Sequence, residues 1–279
     1  MLVNTMSLGE IVTPNIKNAL SAVEEMIKQH NENITKEEVT KKTHLLLKEL
    51  MPLINDFKQG KIEEDSFDSK FIETFKNQTQ IELSIEQLNA IWNSINPTYD
   101  KYKIALEQAI EFNKTGNKLI FITYSNQKDI NFFKNQLMQN HIEYKVKKVT
   151  EVTEVTEEQG NSIEVLTEID GIEIFSTHTQ KTNKANLLEE IFNDLRNRYP
   201  NTDLHLVHIQ SERKTDIAEL DNDDKLVRNS VENKCSQLNI EVLHWDRSES
   251  NFKTILNTTA SKRSTKESTE ESTTQRFSM

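Results

Sequence analysis

The sequence predicts an α/β protein: a doubly wound, Rossmann-like parallel sheet with a helical subdomain inserted after its first strand. Three observations carry that prediction. Leu119–Thr123 is a short, unbroken apolar run, as expected for a strand buried on both faces of a parallel sheet. From Pro14 to Gly116 the chain reads as helix almost without interruption. After it, helical segments alternate with two further strand-like runs, Asp203–Ile209 and Ile240–Trp245.

The elements follow in order. Leu2–Thr5 reads as a short apolar strand at the start of the chain. Ile16, Leu20, Val23 and Ile27 recur at helical spacing. Thr35-x-x-Glu38 is a capping box, in which each side chain caps the other's backbone N–H, and the helix it opens runs to Phe57 and stops at Gly60. Pro52 is expected to bend or restart it, because proline removes one helical hydrogen bond. Phe67, Phe71 and Phe75 mark the next helix. Ser84-x-x-Gln87 caps the one carrying Leu88, Ile91 and Trp92. Asn96-Pro97 breaks the pattern before a helix through Ile104, Ala105, Ala109 and Ile110.

Behind Leu119–Thr123, the polar turn Tyr124–Gln127 leads into an amphipathic helix through Phe132, Phe133, Leu137 and Met138. This strand–turn–helix unit sets Ser125 and Asn126 at the carboxyl edge of the sheet, where open α/β sheets bind ligands. Residues 149–160 form an acidic quasi-repeat, expected to be a solvated excursion. Ile163–Thr167 and Ile172–Phe175, around Asp170-Gly171, predict a β-hairpin. A helix over Asn183–Arg198 and another over Lys225–Leu238 complete the pattern. The expected division is an α/β core over 1–13 and 105–257, a helical cap over 14–104, and a disordered Ser/Thr/Glu-rich tail over 258–279.

Composition narrows the function classes. A formal charge of −11 opposes non-specific binding to nucleic acid, and no Lys/Arg run is interleaved with aromatics. No apolar run approaches the length of a membrane span, and the N-terminus lacks the pattern of a secretory signal, so a cytoplasmic location is expected. The single cysteine, Cys235, excludes an intramolecular disulfide or a cysteine-based zinc cluster. Five glycines, none in a GxGxxG or GxxxxGK[ST] arrangement, exclude the glycine-rich phosphate cradles. His205 and His208, three apart on a strand, face opposite sides and cannot share a metal. His178 and His244 are isolated, and Trp92 and Trp245 read as packing residues.

Three stretches together carry a family resemblance: Gly60-Lys61-Ile62 with Phe67, Ala90-Ile91-Trp92-Asn93, and Gly116 through Ser125-Asn126. In order and spacing over Leu53–Leu137 they resemble the cap and second motif of the haloacid-dehalogenase-like (HAD-like) hydrolases. That resemblance implies a phosphate site built from four motifs. An Asp nucleophile and, two residues on, an Asp acid/base follow the first strand. A Ser/Thr, a Lys and an acidic pair holding Mg2+ complete it. The carboxylate attacks phosphorus, the second carboxyl protonates the leaving group, and the metal offsets the gathered negative charge.

Carried onto this chain, the second motif is Ser125 with Asn126 beside it. The third is Lys184, at a helix start, with Lys181 as the alternative. The first motif falls on Asn4 and Met6, neither of which can serve as nucleophile or acid. That predicts a catalytically degenerate member, a pseudoenzyme that binds rather than hydrolyses. The fourth motif falls on Gln210-Ser211, where an acidic pair would be expected, and acids appear later as Asp221, Asp223 and Asp224. Those three read either as metal ligands folded back to the site or as a solvated helix start. The resemblance thus implies a phosphate-bearing ligand or a host protein as partner, and Mg2+ as cofactor only if the chain is active through displaced acids such as Glu10 or Asp221–Asp224.

The tail segment KESTEEST resembles the Glu- and Ser/Thr-rich C-terminal export signals of type IVB secretion effectors. It implies export from a bacterium into a host cell. A generic solubilising tail has the same composition.

Overall fold

A computed structural model describes residues 1–12, 15–147, 165–211, 218–246 and 251–261. Among these residues seven strands form one sheet: β1 Leu2–Ser7, β2 Lys118–Thr123, β3 Lys145–Lys147, β4 Val165–Ile169, β5 Ile172–Ser176, β6 His205–Ser211 and β7 Glu241–Trp245. Their order is β3-β4-β5-β2-β1-β6-β7. The five from β5 to β7 run parallel, and β3 and β4 add an antiparallel edge. The α/β, doubly wound fold class read from the sequence is the one observed.

Alternation along the central strands loads both faces of the sheet. Leu2 and Met6 of β1 and Leu119 and Phe121 of β2 pack on one face with Leu106, Ile130 and Leu137. Val3, Ile120 and Ile122 pack on the other with Leu187, Leu188 and Ile191. The helices concerned are α5 Lys103–Lys114, α6 Gln127–Gln139 and α7 Lys184–Arg198, with α8 Ala218–Gln237 beside α7. A third apolar cluster lies among α1 Ile16–His30, α2 Lys36–Lys58, α3 Glu64–Thr79 and α4 Ile85–Ile95, centred on Phe57, Phe67, Phe71 and Trp92. Phe57 and Phe67 stack at 4.3 Å, and Trp92 meets Phe67 edge-on at 5.2 Å.

Local signals translate directly. Thr35 Oγ1 accepts from Glu38 N while Thr35 N donates to Glu38, and Ser84 and Gln87 repeat the arrangement. Several element ends differ from the sequence reading. Pro52 neither ends nor restarts α2, which is continuous through it. β1 and β6 each run two residues further than expected, because neighbouring strands pair with the extra residues: Ser7 with Ile122, and Gln210 and Ser211 with His244 and Trp245. The first arm of the hairpin is displaced to Val165–Ile169, opposite Ile172–Ser176. α8 begins at Ala218, ahead of Lys225, through a turn too polar to show apolar periodicity.

The expected disordered tail also starts too early. Residues 252–261 are helical, and Phe252, Ile255, Leu256 and Thr259 are buried at helical spacing. The remainder of that tail and the acidic quasi-repeat lie outside the described residues. Among the described residues, no helix is long and apolar enough to cross a membrane.

Candidate functional site

The strand order brings the carboxyl ends of β1, β2 and β6 side by side, and the chain turns upward there into the helical layer. After Ser7 the backbone makes a 3-10 turn over Leu8–Glu10, so Ser7 and Gly9 face a cavity above the sheet edge. After Thr123 it turns through Tyr124 and Ser125 into α6. The cavity has a volume of about 310 Å3, at the small end for ligand pockets. Its floor includes Ser7, Thr123, Ser125, Lys184 and Asp224, and its roof comes from α1, α2 and α4.

Thr123 and Ser125 share a hydrogen bond of 2.5 Å between their hydroxyls, which fixes the orientation of both. Lys184 opens α7 immediately after the cap residue Asn183 and lines the cavity. Lys58, at the end of α2, sets its ammonium over the Tyr124 ring at 5.2 Å from the centroid. Asp224 lies 3.3 Å from Arg228 Nε, one helical turn on.

Asp129 ties floor to roof. Its Oδ1 accepts from Trp92 Nε1 at 2.8 Å and from Asn96 Nδ2 at 3.0 Å, and its Oδ2 accepts from Asn126 Nδ2 at 3.0 Å. Burial pushes the Asp129 carboxyl above the usual range, with these donors and the Lys58 charge opposing it. Next to it, Lys128 is buried and reaches Asp68 at 2.9 Å, Asn89 at 2.8 Å and Glu64 at 3.0 Å. The first turn of α6 therefore holds both α3 and α4.

Three residues singled out from the sequence gather at the cavity: Ser125, Lys184 and Asp224. The others lie elsewhere. Asn126 is buried as the N-cap of α6, its side-chain Oδ1 accepting from Asp129 N at 3.1 Å. Lys181 is exposed, 4.0 Å from Glu63. Asn4 and Met6 sit within β1, facing the layer of residues 252–261, where Asn4 Nδ2 donates to Thr259 Oγ1 at 2.7 Å. The positions at the carboxyl end of β1, two residues apart and on the cavity, are Ser7 and Gly9. β1 is longer than its apolar run, so Asn4 and Met6 lie inside the strand and not after it. The side chains of Asp221 and Asp223 lie outside the described residues.

Sequence reasoning missed Lys58 and Asp129. For Asp129 a signal existed: Asn126-x-x-Asp129 has capping-box spacing. Lys58 carried none, since its approach to Tyr124 depends on how α2 docks.

Magnesium favours several oxygen ligands, carboxylates foremost. At the end of β1 the described residues offer the Ser7 hydroxyl and no carboxylate at Gly9. Glu10 instead accepts a hydrogen bond from Ser211 Oγ. Among the described residues no group of three or more His, Cys, Asp or Glu side chains is arranged to hold a metal. This set does not fit the ion.

No protein-family model matches the chain, and no curated protein is significantly similar to it in sequence. Among solved structures, it is similar to a HAD-family enzyme from Bacteroides thetaiotaomicron in complex with magnesium and inorganic phosphate. The identity is 12% and the TM-score 0.46, over 88% of this chain and 93% of that one. It is also similar to a predicted HAD-like family hydrolase from Porphyromonas gingivalis, at 10% identity and TM-score 0.46 over 88% and 91%. A third likeness is L-2-haloacid dehalogenase from Xanthobacter autotrophicus, at 10% identity and TM-score 0.36 over 75% and 69%.

Proposed function

We propose that this chain is a HAD-like protein that binds a small anionic ligand between sheet edge and helical cap without transferring a phosphoryl group. The observation that carries this reading is the pair Ser7 and Gly9 at the cavity end of β1. The family resemblance puts the attacking carboxylate and the proton donor two residues apart after the first strand. A hydroxyl and a glycine there supply neither. Removing a nucleophile or its acid/base partner costs several orders of magnitude in rate. Ser125 and Lys184 remain on the floor, suited to an anion's oxygens.

The competing reading is a Mg2+-dependent phosphohydrolase using displaced acids. Glu10 favours it, lying on the turn that follows Ser7, and Asp221–Asp224 are its other candidates. Phosphate release from an aryl phosphate with and without magnesium separates the two. Our reading expects no magnesium-dependent turnover, and turnover abolished by Glu10→Gln would establish the competitor. In a second test, Ser7→Asp with Gly9→Asp should confer magnesium binding, read as a rise in melting temperature.

A role as an exported bacterial effector rests on the composition of KESTEEST. A reporter fused to the chain, delivered to host cells with and without residues 262–279, tests it; equal delivery of both removes that role.

A further inference from the structure

A second cavity opens at the opposite edge of the sheet, where the parallel strands β6 and β7 begin. Its volume is about 460 Å3, within the range of small-molecule pockets. Leu204, His205 and Leu206 bring the start of β6 to it, and Glu241 the start of β7. Tyr199 and Leu238, the residues that follow α7 and α8, bring the carboxyl ends of both helices. The apolar part of the wall is Phe192, Leu204, Leu206 and Leu238, all from the cluster on the α7 face of the sheet.

Both signs of charge line this cavity. Helix carboxyl ends carry partial negative charge, and two of them meet here. Asp203 adds a carboxylate. Its backbone carbonyl accepts from the Met1 ammonium at 2.5 Å, but its exposed side chain has no hydrogen bond or ion pair among the described residues. Glu241 is a further acid, 3.7 Å from His205 Nε2. The positive group is Arg196, exposed in the last turn of α7 with its guanidinium 4.2 Å from the centroid of the Phe192 ring. Among the described residues Arg196 makes no ion pair. A guanidinium stacked on a ring keeps its N–H edge for a carboxylate.

These groups select against an ion of one sign. A simple amine would meet Arg196 as a like charge, and a simple carboxylate would meet Asp203 and two helix carboxyl ends. A molecule carrying both charges satisfies both, and an apolar body removes Phe192, Leu206 and Leu238 from water.

We propose that this second cavity binds a small zwitterion, an amino acid with an apolar side chain. Arg196 takes its carboxylate, Asp203 with the helix ends takes its ammonium, and Phe192 and the leucines take its side chain. The site is separate from the cavity beneath the helical layer and independent of what that cavity binds.

Titration calorimetry on the full chain tests it with four probes: phenylalanine, phenethylamine, 3-phenylpropanoate and glycine. Phenylalanine should bind at one site. Phenethylamine lacks the carboxylate, 3-phenylpropanoate the ammonium and glycine the apolar body, so each should bind at least about tenfold more weakly. Arg196→Met should weaken phenylalanine about tenfold without weakening phenethylamine, and Asp203→Asn should weaken phenylalanine without weakening 3-phenylpropanoate. Thr202→Trp, at an exposed position on the cavity wall, should fill the space and abolish binding.

Phenethylamine matching phenylalanine would overturn the role of Arg196, and 3-phenylpropanoate matching it would overturn that of Asp203. Glycine binding as tightly as phenylalanine would overturn the apolar body. Phenylalanine binding that survives all three substitutions lies elsewhere and overturns the site, and binding by none of the four probes overturns the inference whole.

Discussion

Trp92 donates its indole N–H to Asp129 Oδ1 across 2.8 Å, joining a helix of the apolar cluster above the sheet to the first turn after β2. Asn96 reaches the same oxygen, so one carboxylate satisfies two donors from the far side of the cavity. Asp129→Leu would leave those donors without an acceptor. Each unmet buried donor costs about 1–3 kcal/mol, so urea unfolding should show a loss of about 2–6 kcal/mol. The charge has its own signature. Burial raises the Asp129 carboxyl above its unfolded value, so in the window between the two the folded state holds the proton more tightly. That contribution is full below the unfolded pKa and is lost as pH rises through the folded one. Asp129→Asn should remove this component from the pH profile of the melting temperature.

Glu173 shows the opposite sign. It is buried on β5, and burial opposes its charge. Arg198, at 2.7 and 3.1 Å, and Lys118, at 3.1 Å, more than offset this and hold the carboxyl below its usual range. Its contribution is present above the unfolded pKa and is lost as pH falls through the folded one. Glu173→Gln should flatten the acid limb of the stability profile. Arg198→Met, which strands a buried carboxylate with only Lys118, should cost about 3 kcal/mol at neutral pH by chemical denaturation.

The contrast between these residues and the capping boxes explains what could be read from the sequence. Thr35 with Glu38 and Ser84 with Gln87 act over three positions, so spacing alone reveals them. Leu119–Thr123 is legible because a strand buried on both faces must be apolar throughout. The end of β1 is not, because Thr5, Met6 and Ser7 are held in the strand by Ile120, Phe121 and Ile122, more than a hundred residues away. That non-local pairing carries the strand end from Thr5 to Ser7. Ser125 could be found because it ends a strand visible by itself. Lys58 could not, because its place beside Tyr124 follows from how a whole helix docks.

His208 should make the fold acid-sensitive well above the carboxylate range. It is buried on β6, with Nδ1 at 2.9 Å from Thr5 Oγ1. Burial, and secondarily the Lys184 charge, lower its pKa to about 3. The unfolded chain takes up this proton near pH 6.5 while the folded chain resists it down to about 3, so stability is lost across that window as pH falls. His208→Gln should reduce the drop in melting temperature between pH 7 and pH 4.5. An unchanged drop would mean that the ring titrates normally in the fold.

Gly60 closes α2 in a left-handed conformation, with φ at 65°, its N–H donating to Phe57 O at 3.0 Å and Lys61 N to Asp56 O at 2.9 Å. This helix end is also docked on the loop after β5: Thr177 Oγ1 donates to Lys58 O at 2.9 Å, and His178 Nδ1 lies 2.7 Å from Phe57 O. A Cβ on Gly60 would meet His178 O at 2.3 Å, which only a backbone shift can relieve. Gly60→Ala therefore combines a left-handed alanine, about 1–2 kcal/mol, with overpacking, about 1–3 kcal/mol. Gly116 supplies the control. Its φ is 83°, but a Cβ there meets nothing within 4 Å, so Gly116→Ala should cost only the conformational part. Unfolding curves of the two variants should separate by more than about 1 kcal/mol.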